Sequence, residues 1–133
     1  MDRLRERLVI ARQALATLQQ ALREPKSQIV RDASIQRFEY TFEAVWKAAQ
    51  LFLRVEESLE VGSPKAVIRA TLQVGILSEE QARTSLRMAD DRNLTVHTYN
   101  ESLAESIYSR LSGYAQVMAL WLESLERRCS KEG

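Results

Sequence analysis

The sequence predicts an all-α fold, an antiparallel helical bundle of about five helices, as a single domain over residues 1–133. Three observations carry that prediction. Apolar residues recur at spacings of three and four along most of the chain, which is the period of an amphipathic helix. No run alternates apolar with polar residues between turn signals, as a half-buried strand would. The helix-breaking residues Pro25, Gly62, Pro64 and Gly75 fall between the periodic stretches rather than inside them.

Leu4, Leu8, Ala11, Leu15, Leu18 and Leu22 place one apolar seam on a first helix from about Asp2 to Arg23. Pro25 ends it, because proline lacks the backbone donor and pushes the residue before it out of the helical region. Lys26-Ser27 is the turn. A second helix from about Gln28 to Leu59 carries a stripe of Ile35, Phe38, Phe42, Val45, Ala49 and Phe52, with Tyr40, Ala44, Leu51 and Val55 apolar on other sides. Such a helix is about 45 Å long at 1.5 Å per residue. Its several apolar faces predict that a second copy of the chain covers part of it, so a homodimer is expected. Trp46 suits either the core or an interface, with the core the simpler assignment.

Ser63 and Pro64 supply an N-cap and a first helical residue for a short helix over Pro64 to Gln73, and Gly75 suits the left-handed position that follows its end. Ser78 and Gln81 make a capping-box pattern, with Glu79 and Glu80 in the first turn, and predict a fourth helix to about Asp91 with Ala82, Leu86 and Ala89 inward. Thr98 or Asn100 caps the last helix. Its stripe is Leu103, Ile107, Leu111, Tyr114, Met118, Trp121 and Leu125, continuing to about Arg128.

Composition narrows the function classes. Hydrophobic residues make up 45% and charged residues 28% of the chain, the balance of a globular protein with a real core. No apolar stretch is long enough for a membrane span, and the start, MDRLRERLVI, lacks the apolar segment of a signal peptide, so a cytoplasmic protein is expected. Cys129 is the single cysteine, which excludes an intrachain disulfide and any multi-cysteine metal site. No cofactor or metal is expected. The net charge of +1 argues against a protein that coats nucleic acid, so any RNA contact would be local, as at Arg69, Arg83, Arg87 and Arg92. Helical spacing offers these arginines a simpler role: Arg87 would pair with Asp90 or Asp91, and Arg83 with Glu79 or Glu80.

The stretch Asp90 to Tyr99, DDRNLTVHTY, is polar and turn-like, lies between two helical patterns, and contains the only histidine. Loops held on a rigid scaffold are where function concentrates. An imidazole such as that of His97 can take or give a proton, while the guanidinium of Arg92 can grip a phosphate and stabilise charge as it develops. The pair suffices in kind for metal-independent RNA cleavage through a cyclic phosphate. One histidine cannot serve as acid and base in the same step, and a two-fold dimer would bring a second copy of the motif to one cleft. The plainer reading is a histidine that caps a helix or edges the core.

Three segments extend this reading: IQRFEYTFEAVWK from Ile35 to Lys47, SPKAVIRATLQVGIL from Ser63 to Leu77, and DRNLTVHTYNE from Asp91 to Glu101. In order and spacing they resemble the HEPN superfamily, and within it the nucleotidyltransferase substrate-binding-like proteins, small helical subunits encoded beside minimal nucleotidyltransferases. The resemblance implies an all-α bundle that dimerises. The superfamily motif, an arginine separated from a histidine by four to six residues, is matched by Arg92 and His97, with Asp91 and Asn93 as supporting residues. In related toxin-antitoxin pairs it continues through any residue to a tyrosine, matched here by Tyr99. In those pairs the resemblance implies an RNase subunit that is silenced when its nucleotidyltransferase partner adenylylates the tyrosine. At Ser85 the chain departs from the aromatic residue that relatives often carry.

Two functions of different class follow. The first is a partner subunit that docks a minimal nucleotidyltransferase and presents the Arg92, His97 and Tyr99 cleft to it as a substrate-binding or regulated subunit. The alternative is an RNase toxin with Arg92 and His97 as catalytic residues at a dimer cleft, silenced through Tyr99.

Overall fold

The computed structural model describes residues 2–132, and the side chains of residues 2–129. Five helices follow one another: α1 (Arg3–Arg23), α2 (Gln28–Glu57), α3 (Pro64–Gln73), α4 (Glu79–Leu94) and α5 (Glu101–Glu132), with a 3-10 turn over Thr95–His97 between the last two. No strand occurs among the described residues. No helix among them is long and apolar enough to cross a membrane.

Local chemistry sets most of the boundaries. The Asp2 carboxylate accepts from the backbone N–H of Arg5 at 3.0 Å, Ser27 does the same for Val30 at 3.0 Å and Ser63 for Ala66 at 3.2 Å, so each helix begins on a side-chain cap. Ser78 and Gln81 form the reciprocal capping box. Gly75 sits at φ +83°, a left-handed conformation that glycine adopts without cost. At the end of α2 the left-handed residue is Ser58 (φ 57°), and the Leu59 N–H donates to the Leu53 carbonyl. That closure stops α2 at Glu57, two residues before the expected end. Of the two candidate caps for α5, Asn100 accepts from the N–H of Leu103 at 3.0 Å, whereas the Thr98 hydroxyl turns back to the Thr95 carbonyl.

The largest departure from expectation is at α4. The sequence places its end near Asp91 and reads the following residues as a loop, yet the helix runs to Leu94 and tightens into the 3-10 turn. The inward stripe explains this: Ala82, Ser85, Met88, Ala89, Asp91 and Thr95 are all buried at helical spacing. The apolar signal fades because polar side chains occupy the last inward positions. Ser85, where relatives often have a ring, is fully buried.

Chain neighbours α1 and α2 are antiparallel, and α3 with α4 carries the chain back so that α5 runs parallel to α2. Pairings along the two long helices show the direction: Arg31 with Glu101 at one end, Phe38 against Tyr114 with ring centroids 5.5 Å apart, and Glu57 with Arg128 at the other. α2 is the central element. It touches α1, α3, α4, the 3-10 turn and α5, and Phe38, Phe42, Val45, Ala49 and Phe52 lie wholly within the core, with Trp46 nearly so. Its main stripe is therefore covered within one chain, whereas of the off-stripe positions Tyr40, Ala44, Leu51 and Val55 only Leu51 is buried and Ala44 is half-buried. Ile29, Tyr40 and Val55 are the large apolar side chains of α2 that stay exposed.

Candidate functional site at the junction of α4 and α5

Asp91 is the footing of the site. It is 4% exposed, and its carboxylate accepts from Arg110 Nε at 2.7 Å, Arg110 Nη2 at 2.9 Å and the Tyr114 hydroxyl at 2.5 Å. A buried carboxylate is tolerable when paired and hydrogen-bonded in this way. Burial first, and then the Asp91 hydrogen bond, push the Tyr114 phenol up, so it stays neutral and donates. Phe38 of α2 stacks on Tyr114. The end of α4 is thus locked to the first half of α5. This also corrects the expected pairing of Arg87: Asp91 is held by Arg110, Asp90 by Lys65 at 2.6 Å, and neither by Arg87. Arg83 does pair with Glu79, at 3.8 Å.

Arg92 follows Asp91 at the helix end and faces α2. Its guanidinium lies 3.9 Å from carboxylate oxygens of both Glu39 and Glu43, and Trp46 Nε1 donates to Glu43 at 3.2 Å. The Arg92 Nε is buried and has no hydrogen-bond partner among the described residues. Arg92 is held by charge rather than by short hydrogen bonds, and part of its donor capacity is unspent.

His97 ends the 3-10 turn and is exposed. The hydroxyl of Tyr99 lies 3.2 Å from His97 Nδ1, with the rings edge to face and 5.8 Å between centroids. Tyr99 itself is 82% exposed, in the short turn ahead of the Asn100 cap rather than on α5. Val96 beside it is 66% exposed, and Asn93 is exposed as well. The sequence-predicted residues therefore form two groups. His97 and Tyr99 meet at the surface, whereas Arg92 turns to the carboxylates of α2 and shares no hydrogen bond or ring contact with either of them. Among the described residues no three His, Cys, Asp or Glu side chains come together as a metal site would require. Sequence reasoning missed Glu39, Glu43, Arg110 and Tyr114 as members of the site. The one available signal was that Arg110 and Tyr114, four apart, share a face of α5 below the motif.

Residues 6–127 fit the family described as nucleotidyltransferase substrate binding protein like. A Haemophilus influenzae protein described as a probable ribonuclease HepT is 26% identical over 99 residues, which is 71% of this chain and 66% of that protein, just under two thirds of its length. Among solved structures, a Thermus thermophilus protein is 57% identical, with a TM-score of 0.84 over 86% of this chain and 98% of its own. A Haemophilus influenzae structure described as the fold of a substrate binding domain of a nucleotidyltransferase has a TM-score of 0.76 at 20% identity, over 90% of this chain and 98% of its own. A toxin-antitoxin structure with AMP-PNP has a TM-score of 0.76 at 14% identity, over 94% of this chain and 99% of its own. At such low identities the last two are similarities of fold.

Proposed function

Because this chain belongs to the nucleotidyltransferase substrate-binding-protein-like family, we propose that it is the partner subunit of a minimal nucleotidyltransferase and offers the turn after α4 to it as the regulated point. The observation that carries this reading is the exposed Tyr99 hydroxyl 3.2 Å from His97 Nδ1. A phenol is a poor nucleophile while protonated, and a neighbouring imidazole relieves that by taking the proton. In the reaction the Tyr99 oxygen bonds to the α-phosphorus of ATP held by the partner, the bond to pyrophosphate breaks, and the phenol proton passes to Nδ1 of a His97 tautomer protonated on Nε2. The adduct places a phosphodiester charge near the motif and fills the space around His97. Expression beside the neighbouring nucleotidyltransferase tests the partnership: co-purification of the two chains at fixed stoichiometry is expected, and independent migration of both would refute it.

A second reading, a metal-independent RNase with Arg92 and His97 as catalytic pair, is favoured by the exposed imidazole, by the unspent Arg92 donors and by the ribonuclease relative. Within one protomer those two side chains are not joined, so this reading requires a homodimer whose second copy completes the cleft. Sedimentation equilibrium is then expected to show a dimer at micromolar concentration; a monomer there would remove the RNase reading and leave the partner subunit standing. Growth arrest on expression of the chain alone, abolished in His97→Ala, would favour the RNase.

A further inference from the structure

Away from the motif, the antiparallel pairing of α1 and α2 brings the first two turns of α1 beside the last third of α2. Between them lies a cleft of about 130 Å³ lined by Arg3 and Arg7 from α1, by Lys47, Gln50 and Arg54 from α2, and by Glu60 from the connection to α3. Four cations thus face one carboxylate. Lys47 reaches Glu43 at 3.8 Å, but Arg3, Arg7 and Arg54 have no ion-pair partner among the described residues. Other helix contacts carry matched pairs, Arg12 with Glu126, Arg31 with Glu101 and Glu105, Arg110 with Asp91 and Arg128 with Glu57, while Arg37, also between α1 and α2, donates to the Thr17 carbonyl.

The placement costs local stability. Arg3 stands in the first turn of α1, where the helix dipole disfavours cations, with the Asp2 cap and Glu6 as the acidic residues of that end. Gathering unpaired guanidinium groups around one small space adds mutual repulsion. No packing gain offsets this, because Arg3 and Arg54 are exposed and Arg7 only half-buried. Four cations gathered around one small cleft with a single carboxylate are the kind of local conflict found at functional positions. An anion in the cleft relieves both penalties at once, and the guanidinium fork is shaped for phosphate oxygens.

We propose that this cleft binds an oligophosphate group, as a site separate from the Arg92, His97 and Tyr99 turn and independent of the function assigned to that turn. No aromatic ring lines it, so it offers no stacking surface for a base, and recognition runs through the phosphates. A free nucleoside triphosphate and the 5′-triphosphate end of an RNA carry the same chemistry.

Isothermal titration of the full chain with inorganic tripolyphosphate is the test. One site per chain is expected, with affinity falling as salt rises. The triple variant Arg3→Gln/Arg7→Gln/Arg54→Gln is expected to bind about tenfold or more weakly, with an unchanged helical circular dichroism signal, because none of the three side chains belongs to the core. A control triple, Arg23→Gln/Lys65→Gln/Arg127→Gln, removes three cations from other faces and is expected to bind like the parent. The single Arg54→Gln variant falls between, and serves if the triple fails to fold. Absence of tripolyphosphate binding, or equal loss in the control, overturns the site. Competition then separates the sources: displacement by ATP assigns a free nucleotide, displacement only by a 5′-triphosphate oligonucleotide and not by its 5′-hydroxyl counterpart assigns an RNA end, and displacement by neither contradicts the proposal.

Discussion

At the scale of single residues, the polar stretch around the lone histidine was readable because it is chemically unlike the helices that flank it. Its partners were not. Arg92 leans on Glu39 and Glu43 from a helix some fifty residues earlier, and Asp91 leans on Arg110 and Tyr114 from the next one; charges that meet only through tertiary packing leave no periodic trace in a sequence. The two flanks of the motif carry different predictions. Asp91→Ala leaves a buried phenol and a partly buried guanidinium without their acceptor, and is expected to destabilise the fold by about 3 kcal/mol, or about 10 °C in Tm for a chain of this size. Thermal melts read it directly. His97→Ala touches no buried contact, so its melt should match that of the parent. Its effect belongs to chemistry, with the rate of AMP attachment to Tyr99 by the partner falling about a hundredfold as proton transfer is lost. An unchanged rate would reduce His97 to a neighbour of the tyrosine.

Helices α1 and α3 stand within one residue of their sequence-predicted ends, because caps and breakers are local signals. The end of α4 was hidden, since Asp91 and Thr95 fill inward positions where the pattern calls for apolar residues, and a buried polar side chain reads as solvent-facing until its partner is known. The joint between the start of α2 and the start of α5 was equally silent. There Arg31, 3% exposed, donates to Glu101 at 2.7 Å and to Glu105 at 2.9 Å, and Lys26 reaches Glu105 as well. Arg31 holds the Glu101 carboxyl below the ordinary carboxylate range, and Lys26 with Arg31 does the same for Glu105. A carboxyl depressed in the folded state stabilises the fold above its unfolded value and loses that contribution as pH falls through its folded value. The parent's Tm is therefore expected to drop between about pH 5 and about pH 3, and the Arg31→Met variant, already lower at neutral pH, should drop less over the same range. Parallel curves for the two proteins would show that this joint carries no pH dependence.

For the molecule as a whole, the all-α class followed from periodicity alone, but the meaning of the long second helix did not. Its many apolar faces suggested a partner; the structure covers the main stripe from within by setting α2 at the centre of the bundle, ringed by every other element, and leaves Ile29, Tyr40 and Val55 exposed. At the turn after α4 a hydroxyl, an imidazole and an exposed Val96 project from an end of the bundle that Asp91 ties to α5. A reactive group on a stiff support suits presentation to another protein's active site. The central claim is that the partner nucleotidyltransferase reads this turn through Tyr99. Mass spectrometry of the chain purified after co-expression with that partner, followed by peptide mapping, tests it most directly. The account predicts AMP on the peptide containing Tyr99 and no adduct in Tyr99→Phe; an unmodified Tyr99 beside a partner shown to be active, or an adduct that persists in Tyr99→Phe, would contradict it.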